Sequence, residues 1–284
     1  MKKFLSLSLI TMMLASALAG CTAKPATNND TANASDFAEV SADGKMVVGI
    51  TLFAPMNYYD NENNLIGFDT DLAKAVGEKL DLDVEFIEIN WDTKEIELNS
   101  KNIDCIWNGM CITEDRKQNM SISNPYLKNT QAMVMKADKA EALAKDATGA
   151  AVVAEQGSTG EGKINGTIAD DETVVVSAKE FFANSNYTAV DSMAKALMEV
   201  AAGTADVALV DSVCAYGMVG EGTDYPNLIV NTDNNFGDQE YGIAFRKGSD
   251  ITEKVNTAIE ELTADGTVAQ IAAKYNLTDM LITK

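Results

Sequence analysis

The chain has 284 residues, 46% of them hydrophobic and 23% charged, with only 4 prolines, so it can build one large globular domain or two modest ones and is neither collagen-like nor mainly disordered. Asp and Glu number 43 against 22 Lys and Arg, a formal charge of -21; a surface that acidic repels phosphate backbones, and no nucleic-acid partner is expected. Histidine is absent, which removes Ser-His-Asp and Cys-His nucleophile systems, His-ligated zinc and His phosphorelay chemistry.

At the N-terminus, Lys2 and Lys3 precede an apolar run from Phe4 to Ala19. It is short for the roughly 20 residues a spanning helix needs and reads as a signal peptide over 1–20. The run ends Leu18-Ala19-Gly20-Cys21. That ending resembles the lipobox of bacterial lipoproteins, in which small residues precede a Cys that is lipidated and becomes the mature N-terminus. The alternative is a plain secretory signal with an incidental Cys, and both imply export. On Cys21 a diacylglyceryl group would supply the two acyl chains that stable anchoring to a cell membrane requires. Residues 21–44, dominated from Thr22 to about Ala42 by Thr, Asn, Ala, Ser and Asp, are expected to be a flexible tether, because they bury too little to offset the entropy of ordering. The remaining Cys105, Cys111 and Cys214 allow at most one disulfide, and buried or free thiols are expected.

From Lys45 onward short β-rich runs alternate with helical patterns, the mark of α/β architecture with largely parallel sheets. Strands are expected at Met46–Ile50, Val84–Ile89 and Ile103–Trp107, with helices over Asp69–Leu80 and Asp92–Lys101 and a short one from about Thr113. A second set follows, with strands at Ala132–Met135, Ala151–Ala154, Thr173–Val176, Val207–Val210 and Tyr241–Phe245. An amphipathic helix is expected from about Val190 to Ala202, and Ile251–Tyr275 reads as two helices parted near Gly266.

Six segments stand in this frame: Gly67-Phe68-Asp69-Thr70-Asp71-Leu72-Ala73, the run from Ile103 to Arg116, Ser123-Asn124-Pro125-Tyr126, Gln156-Gly157-Ser158-Thr159-Gly160, the run from Gly203 to Asp211, and Glu240 to Lys247. In order and spacing, from Lys45 to Leu277, they resemble the polar amino-acid-binding proteins of bacterial ABC importers, the extracellular solute-binding proteins of family 3. The resemblance implies an α/β, two-lobed, type II periplasmic-binding-protein-like fold. Two mixed, mainly parallel sheets with flanking helices would be joined by two crossing hinge strands. By that likeness 45–129 and 241–284 form lobe 1 and 130–240 lobe 2, with crossings near Lys128 to Gln131 and Gln239 to Ala244. It further implies a monomer without cofactor or metal, a free amino acid as ligand, and as partner a permease whose ATPase is a separate subunit.

The residues suit such a ligand. A free amino acid joins a carboxylate and an ammonium to one carbon, so its site needs a cation close to an anion. Arginine occurs only at 116 and 246, and Arg116 is the candidate cation because its planar fork matches a carboxylate; a surface Arg on a solvated helix is the alternative. The resemblance gives Arg116 the α-carboxylate, aided by backbone N–H groups near Cys111, where the family usually has Thr or Ser. A thiol replaces a hydroxyl poorly. Ser158 and Thr159 would close on the same carboxylate from lobe 2, or Ser158 is simply a helix N-cap. Asp211 is the candidate ammonium partner, with an N-cap as its alternative. Many relatives carry a second Asp after the first strand, where this chain has Thr51; the Gly109 carbonyl is a neutral substitute. Phe53 and Trp91 match positions where the family flanks the ligand with aromatic rings, and Trp107 lies beside Asn108; each also suits core packing. A neutral or polar amino acid, cystine included, is expected.

Met193 and Met198 read as core filler, and Asp60-Asn61-Glu62-Asn63-Asn64 only loosely approximates a calcium loop. Two rival functions remain. One is a dehydratase of prephenate or arogenate type, which the same fold hosts and for which Glu240 or Glu155 would be the general acid. The other is a detached ligand-sensing module.

Overall fold

The fold is seen in a computed structural model that describes residues 35–170, 174 and 176–282. The expected signal peptide, Cys21 and the tether up to residue 34 lie outside the described residues. The last part of the expected tether is instead a helix, α1 (Asp36–Asp43), capped by the Ser35 hydroxyl and closed by Gly44 at φ +68°. Long-range partners order it: Asp36 pairs with Arg246 at 2.9 Å, the Phe37 N–H donates to Asp250 at 3.0 Å, and Val40 is buried. Such ties offset an ordering cost that a free polar segment could not.

β1 (Lys45–Ile50) buries Met46, Val48 and Ile50. β2 (Tyr58–Tyr59) and β3 (Leu65–Ile66) form a small hairpin. Its turn is the Asp/Asn run, in which Asp60 accepts from the N–H groups of Glu62 and Asn64 at 2.9 Å, so the carboxylate serves the turn. α2 (Phe68–Leu80) turns Leu72, Ala73 and Val76 into the core. β4 (Asp83–Glu88) leads through a 3-10 turn at Trp91–Thr93 to α3 (Lys94–Asn99), shorter than expected. β5 (Cys105–Cys111) starts two residues later than expected, runs four further, and is buried throughout. α4 (Glu114–Asn119), N-capped by Thr113, and β6 (Met120–Ile122) complete this half.

In the second half β7 (Leu127–Lys136), α5 (Ala140–Leu143), β8 (Ala151–Glu155), α6 (Thr159–Asn165) and α7 (Ala178–Phe181) follow in order. Residues 173 and 175 of the strand expected at Thr173–Val176 lie outside the described residues, and Val174 and Val176 are not in a strand. The strand beside β8 is β9 (Asn186–Val190), which runs parallel to it in continuous register. α8 (Met193–Ala202), capped by Ser192 and ended by Gly203, precedes β10 (Val207–Asp211), α9 (Ser212–Met218) and β11 (Leu228–Asn231). β12 (Asp238–Arg246), α10 (Ile251–Ala264) and α11 (Thr267–Lys274) end the fold.

The strand order is β4-β1-β5-β12-β7-β10-β8-β9, with β6 on β12 and β11 on β7. β1 is parallel to β4 and β5, and β8 to β9 and β10. Two long strands bridge these halves. β7 pairs with β12 over 127–130 and with β10 over 131–135, while β12 continues along β5. In strand order and flanking helices the architecture fits the α/β, two-lobed fold that the resemblance implies. The C-terminal ends of the parallel strands meet where the lobes face each other, the usual place for a ligand in open α/β sheets.

Candidate functional site

Four strand ends converge there: Phe53 just beyond β1, Asn108, Gly109 and Cys111 of β5, Glu155 closing β8, and Asp211 closing β10. With Trp91, Arg116, Ser158, Thr159 and Met193 they wall a cavity of about 10 Å³, room for roughly one water. The lobes are closed on each other. Gln156 Nε2 donates to Asp92 at 3.0 Å across the seam, and Lys94 Nζ and Arg116 Nη2 both donate to the Gly157 carbonyl, at 3.1 and 3.3 Å.

Arg116 is brought inward by the first turn of α4 and is only 6% exposed. Its Nη1 donates to the Cys111 carbonyl at 2.6 Å, and its guanidinium lies 5.9 Å from the Trp91 ring centroid. Lys94, also 6% exposed, lies over the same ring at 4.8 Å and donates to the Trp91 carbonyl at 3.0 Å. Both cations are thus held by carbonyls and a ring face, and among the described residues neither forms an ion pair. Burial pulls the Arg116 guanidinium below its ordinary value, and burial together with the Arg116 charge pulls Lys94 down to about 8. Two adjacent buried cations without a carboxylate form a site for an anion.

The opposing lobe supplies acceptors. Asp211 occupies the N-cap position of α9 but makes no side-chain cap bond. Its carboxylate instead takes the Tyr241 hydroxyl at 2.7 Å and Gln131 Nε2, with Cys111 Sγ at 3.7 Å. Burial raises its pKa against these donors. Glu155 is 2% exposed, its Oε1 has no hydrogen-bond partner, and burial with the Asp211 charge pushes it up to about 8. Thr159 Oγ1 is likewise buried without a partner. The Ser158 hydroxyl accepts from Glu161 N–H at 3.2 Å, so it caps α6 and also stands in the cavity wall.

Gly109 has φ +51°, and a Cβ there would lie 2.9 Å from Phe53 Cζ and 3.0 Å from Tyr241 Cε2. Only glycine fits this kink. Its N–H donates at 2.6 Å to Asp69, which is fully buried, accepts the Tyr126 hydroxyl at 2.9 Å, and is pushed by burial up to about 7.

Two expected site residues stand outside the wall. Trp107 is fully buried in the main core. It alternates away from Asn108 along β5. Thr51 is engaged with Asn108: its N–H and hydroxyl donate to Asn108 Oδ1 at 2.9 and 2.6 Å, and Asn108 Nδ2 returns a bond to the Thr51 carbonyl at 2.8 Å. Cys105, Cys111 and Cys214 are all buried free thiols. Glu240 is exposed and lines a different groove. Sequence reasoning missed Lys94, which looked like one surface lysine among many on a polar helix; its place one turn after Trp91 was the available signal. Met193, expected as core filler, belongs to the cavity wall.

A groove of about 890 Å³ lies beside the hinge strands, lined among others by Lys117, Lys128, Thr130, Tyr216 and Glu240. Its Lys117 ammonium already pairs with Glu114 at 2.8 Å, and its other charged groups are exposed. Buried groups without partners occur in both, Gln131 Oε1 and Gln239 Nε2 at the groove and Glu155 Oε1 and Thr159 Oγ1 at the small cavity. Only the small cavity has the buried Arg116 guanidinium in its wall, and it has the stronger demand for an anionic ligand group. Among the described residues no helix is long and apolar enough to cross a membrane, and no acidic or thiol cluster could hold a metal ion.

Known proteins resemble this chain in sequence and fold. The glutamine-binding protein GlnH of an ABC transporter of Bacillus subtilis is 29% identical over 287 residues, covering 97% of each chain. A probable histidine-binding protein of Neisseria gonorrhoeae is 29% identical over 229 residues, 78% of this chain and 79% of its own. A solved ABC uptake transporter substrate-binding protein from Streptococcus pneumoniae with bound histidine superposes with a TM-score of 0.76 at 27% identity, over 88% of this chain and 99% of its own. Residues 46–278 match the bacterial extracellular solute-binding proteins, family 3, and the chain belongs to that family.

Proposed function

We propose that this protein captures a free amino acid between its lobes and delivers it to an ABC importer permease driven by a separate ATPase subunit, making and breaking no covalent bond. Arg116 carries this reading: a buried guanidinium at a lobe-lobe seam that has carbonyl partners but no carboxylate fits a ligand carboxylate. Thr159, whose hydroxyl lacks a partner, would close on that carboxylate from the other lobe together with Ser158, Asp211 would take the ammonium, and Phe53, Trp91 and Met193 would flank the side chain. If Glu155 ionises when a ligand ammonium arrives beside it, it and Asp211 match the Lys94 and Arg116 charges in the bound state, and a ligand of zero net charge then leaves no buried charge uncompensated. A neutral or polar amino acid, cystine included, meets that condition. The present cavity holds about 10 Å³, so entry requires the lobes to part, and ligand then favours the closed arrangement. A lipid on Cys21 would hold the exported protein at the membrane near its permease.

One observation favours a second reading. Glu155 keeps its proton up to about pH 8 inside the cleft, as a general acid of a dehydratase would. A thermal-shift screen of purified protein, stripped of carried-over ligand by unfolding and refolding, against the twenty amino acids, cystine and prephenate separates the two. A true ligand at a hundred times its Kd stabilises by about 2.7 kcal/mol. A shift with one or a few amino acids supports the receptor. Silence with all of them, or turnover of prephenate, rejects it.

A further inference from the structure

The ammonium subsite has more donors to satisfy than Asp211 alone can serve. An ammonium carries three protons, and the Asp211 carboxylate already holds Tyr241 at 2.7 Å and Gln131, with the Cys111 thiol at 3.7 Å. Thr51 and Asn108, the polar pair after β1, are occupied with each other. Glu155 supplies the remaining carboxyl group. It ends β8 as Asp211 ends β10, these strands run parallel as neighbours, and both side chains line the same cavity. Its Oε1 is buried with no partner, an arrangement that protein interiors avoid unless a ligand completes it.

We infer that Glu155 is a ligand-binding residue that receives the amino-acid ammonium jointly with Asp211. The assignment rests on the amino-acid reading above and adds to it a residue and a proton. The charged groups acting on Glu155 are Asp211 from β10, which disfavours its ionisation, and Lys94 from α3 and Arg116 from α4, which favour it; the Met193 N–H at the start of α8 also favours it. In the ligand-free protein burial and Asp211 prevail, and the carboxyl keeps its proton up to about pH 8. An arriving ammonium adds a positive charge at the unpartnered oxygen. Glu155 then ionises, its proton passes to the buffer, and the carboxylate accepts N–H bonds from the ligand. Capture is thus linked to proton release, and affinity increases with pH below about 8, approaching tenfold per unit in the limit of one proton released.

The test is calorimetric titration of the full chain with whichever of the twenty amino acids or cystine binds most tightly, at pH 6, 7 and 8 and in buffers of different ionisation enthalpy, for wild type and Glu155→Gln. The expected result is proton release by wild type, an affinity at least tenfold lower in E155Q, and a flat pH profile in the variant. Equal affinity in E155Q and wild type overturns the assignment while leaving the receptor reading intact. Failure of wild type to bind any of the amino acids removes both. Should E155Q not fold, wild type decides alone. Proton release with the amino acid and none with its 2-hydroxy-acid analogue, which has no ammonium, supports the assignment, and equal release or none with either overturns it.

Discussion

Replacing Arg116 with Met separates binding from stability, because the structure places opposing terms on this residue. The side chain donates to the Cys111 carbonyl at 2.6 Å and to the Gly157 carbonyl at 3.3 Å. Charge-assisted bonds are worth about 1.5–3 kcal/mol each, so their loss costs roughly 3–6 kcal/mol. Against this, Arg116→Met removes a buried guanidinium without a counter-charge, whose desolvation costs several kcal/mol. Lys94 still holds the Gly157 carbonyl at 3.1 Å after the change, so only Cys111 loses its partner. The unfolding free energy should therefore stay within about 2 kcal/mol of wild type. Binding should not survive, since removing one member of a buried, hydrogen-bonded charge pair costs about 2–5 kcal/mol, roughly 30- to 5,000-fold in Kd. Urea denaturation gives the first quantity and calorimetric titration with the preferred amino acid the second. Affinity within threefold of wild type would refute the carboxylate role, and destabilisation beyond about 5 kcal/mol would mark Arg116 as chiefly structural.

Three other outcomes are expected. Gly109→Ala, forced to keep φ +51° with its Cβ 2.9 Å from Phe53 and 3.0 Å from Tyr241, should lose about 2–4 kcal/mol in urea denaturation through left-handed strain and overpacking; an unchanged midpoint would show that the kink relaxes freely. Burial raises Asp69 to about 7 and Glu155 to about 8, so the folded state holds protons that the unfolded chain gives up near its ordinary carboxyl values. That stability is complete below those ordinary values and declines as pH rises through the folded ones. The melting temperature of ligand-free protein should therefore fall from pH 5 to pH 7.5, and a rise over that window would contradict the burial argument. Cys21→Ala should move the protein from the membrane fraction to the soluble fraction of cells that make it, whereas unchanged fractionation would exclude a lipid on Cys21.

Much of this molecule could be read from sequence wherever local pattern and final environment agree. Leu72, Ala73 and Val76 face one way in any helix and are buried in α2; the apolar alternation of Met46, Val48 and Ile50 is the buried face of β1. Agreement failed where tertiary partners override local preference. Asp36–Asp43 looks too polar to order, yet Arg246 and Asp250, more than 200 residues away, bind its first turn. Asn186–Val190 carries a weak strand pattern and becomes β9 because the edge of β8 is open to it. The same distinction applies to the site. Arg116 and Asp211 stand out as charges at the ends of strong patterns, whereas Lys94 resembles a surface lysine until the fold puts it under the Gly157 loop. Glu155 could be noticed as a carboxylate before a glycine turn, but its missing partner is a property of three dimensions. Trp107 misleads for a related reason, since being next to Asn108 in sequence places it on the opposite face of β5.

The most direct measurement is a crystal structure of the protein grown with the amino acid that gives the largest thermal shift. The expected result is that amino acid enclosed between the lobes, its carboxylate oxygens about 3 Å from the Arg116 guanidinium and its ammonium at Asp211. The same amino acid seated in the groove beside the hinge strands, near Lys128 and Tyr216, with Arg116 still bound only to the carbonyls of Cys111 and Gly157, would contradict it.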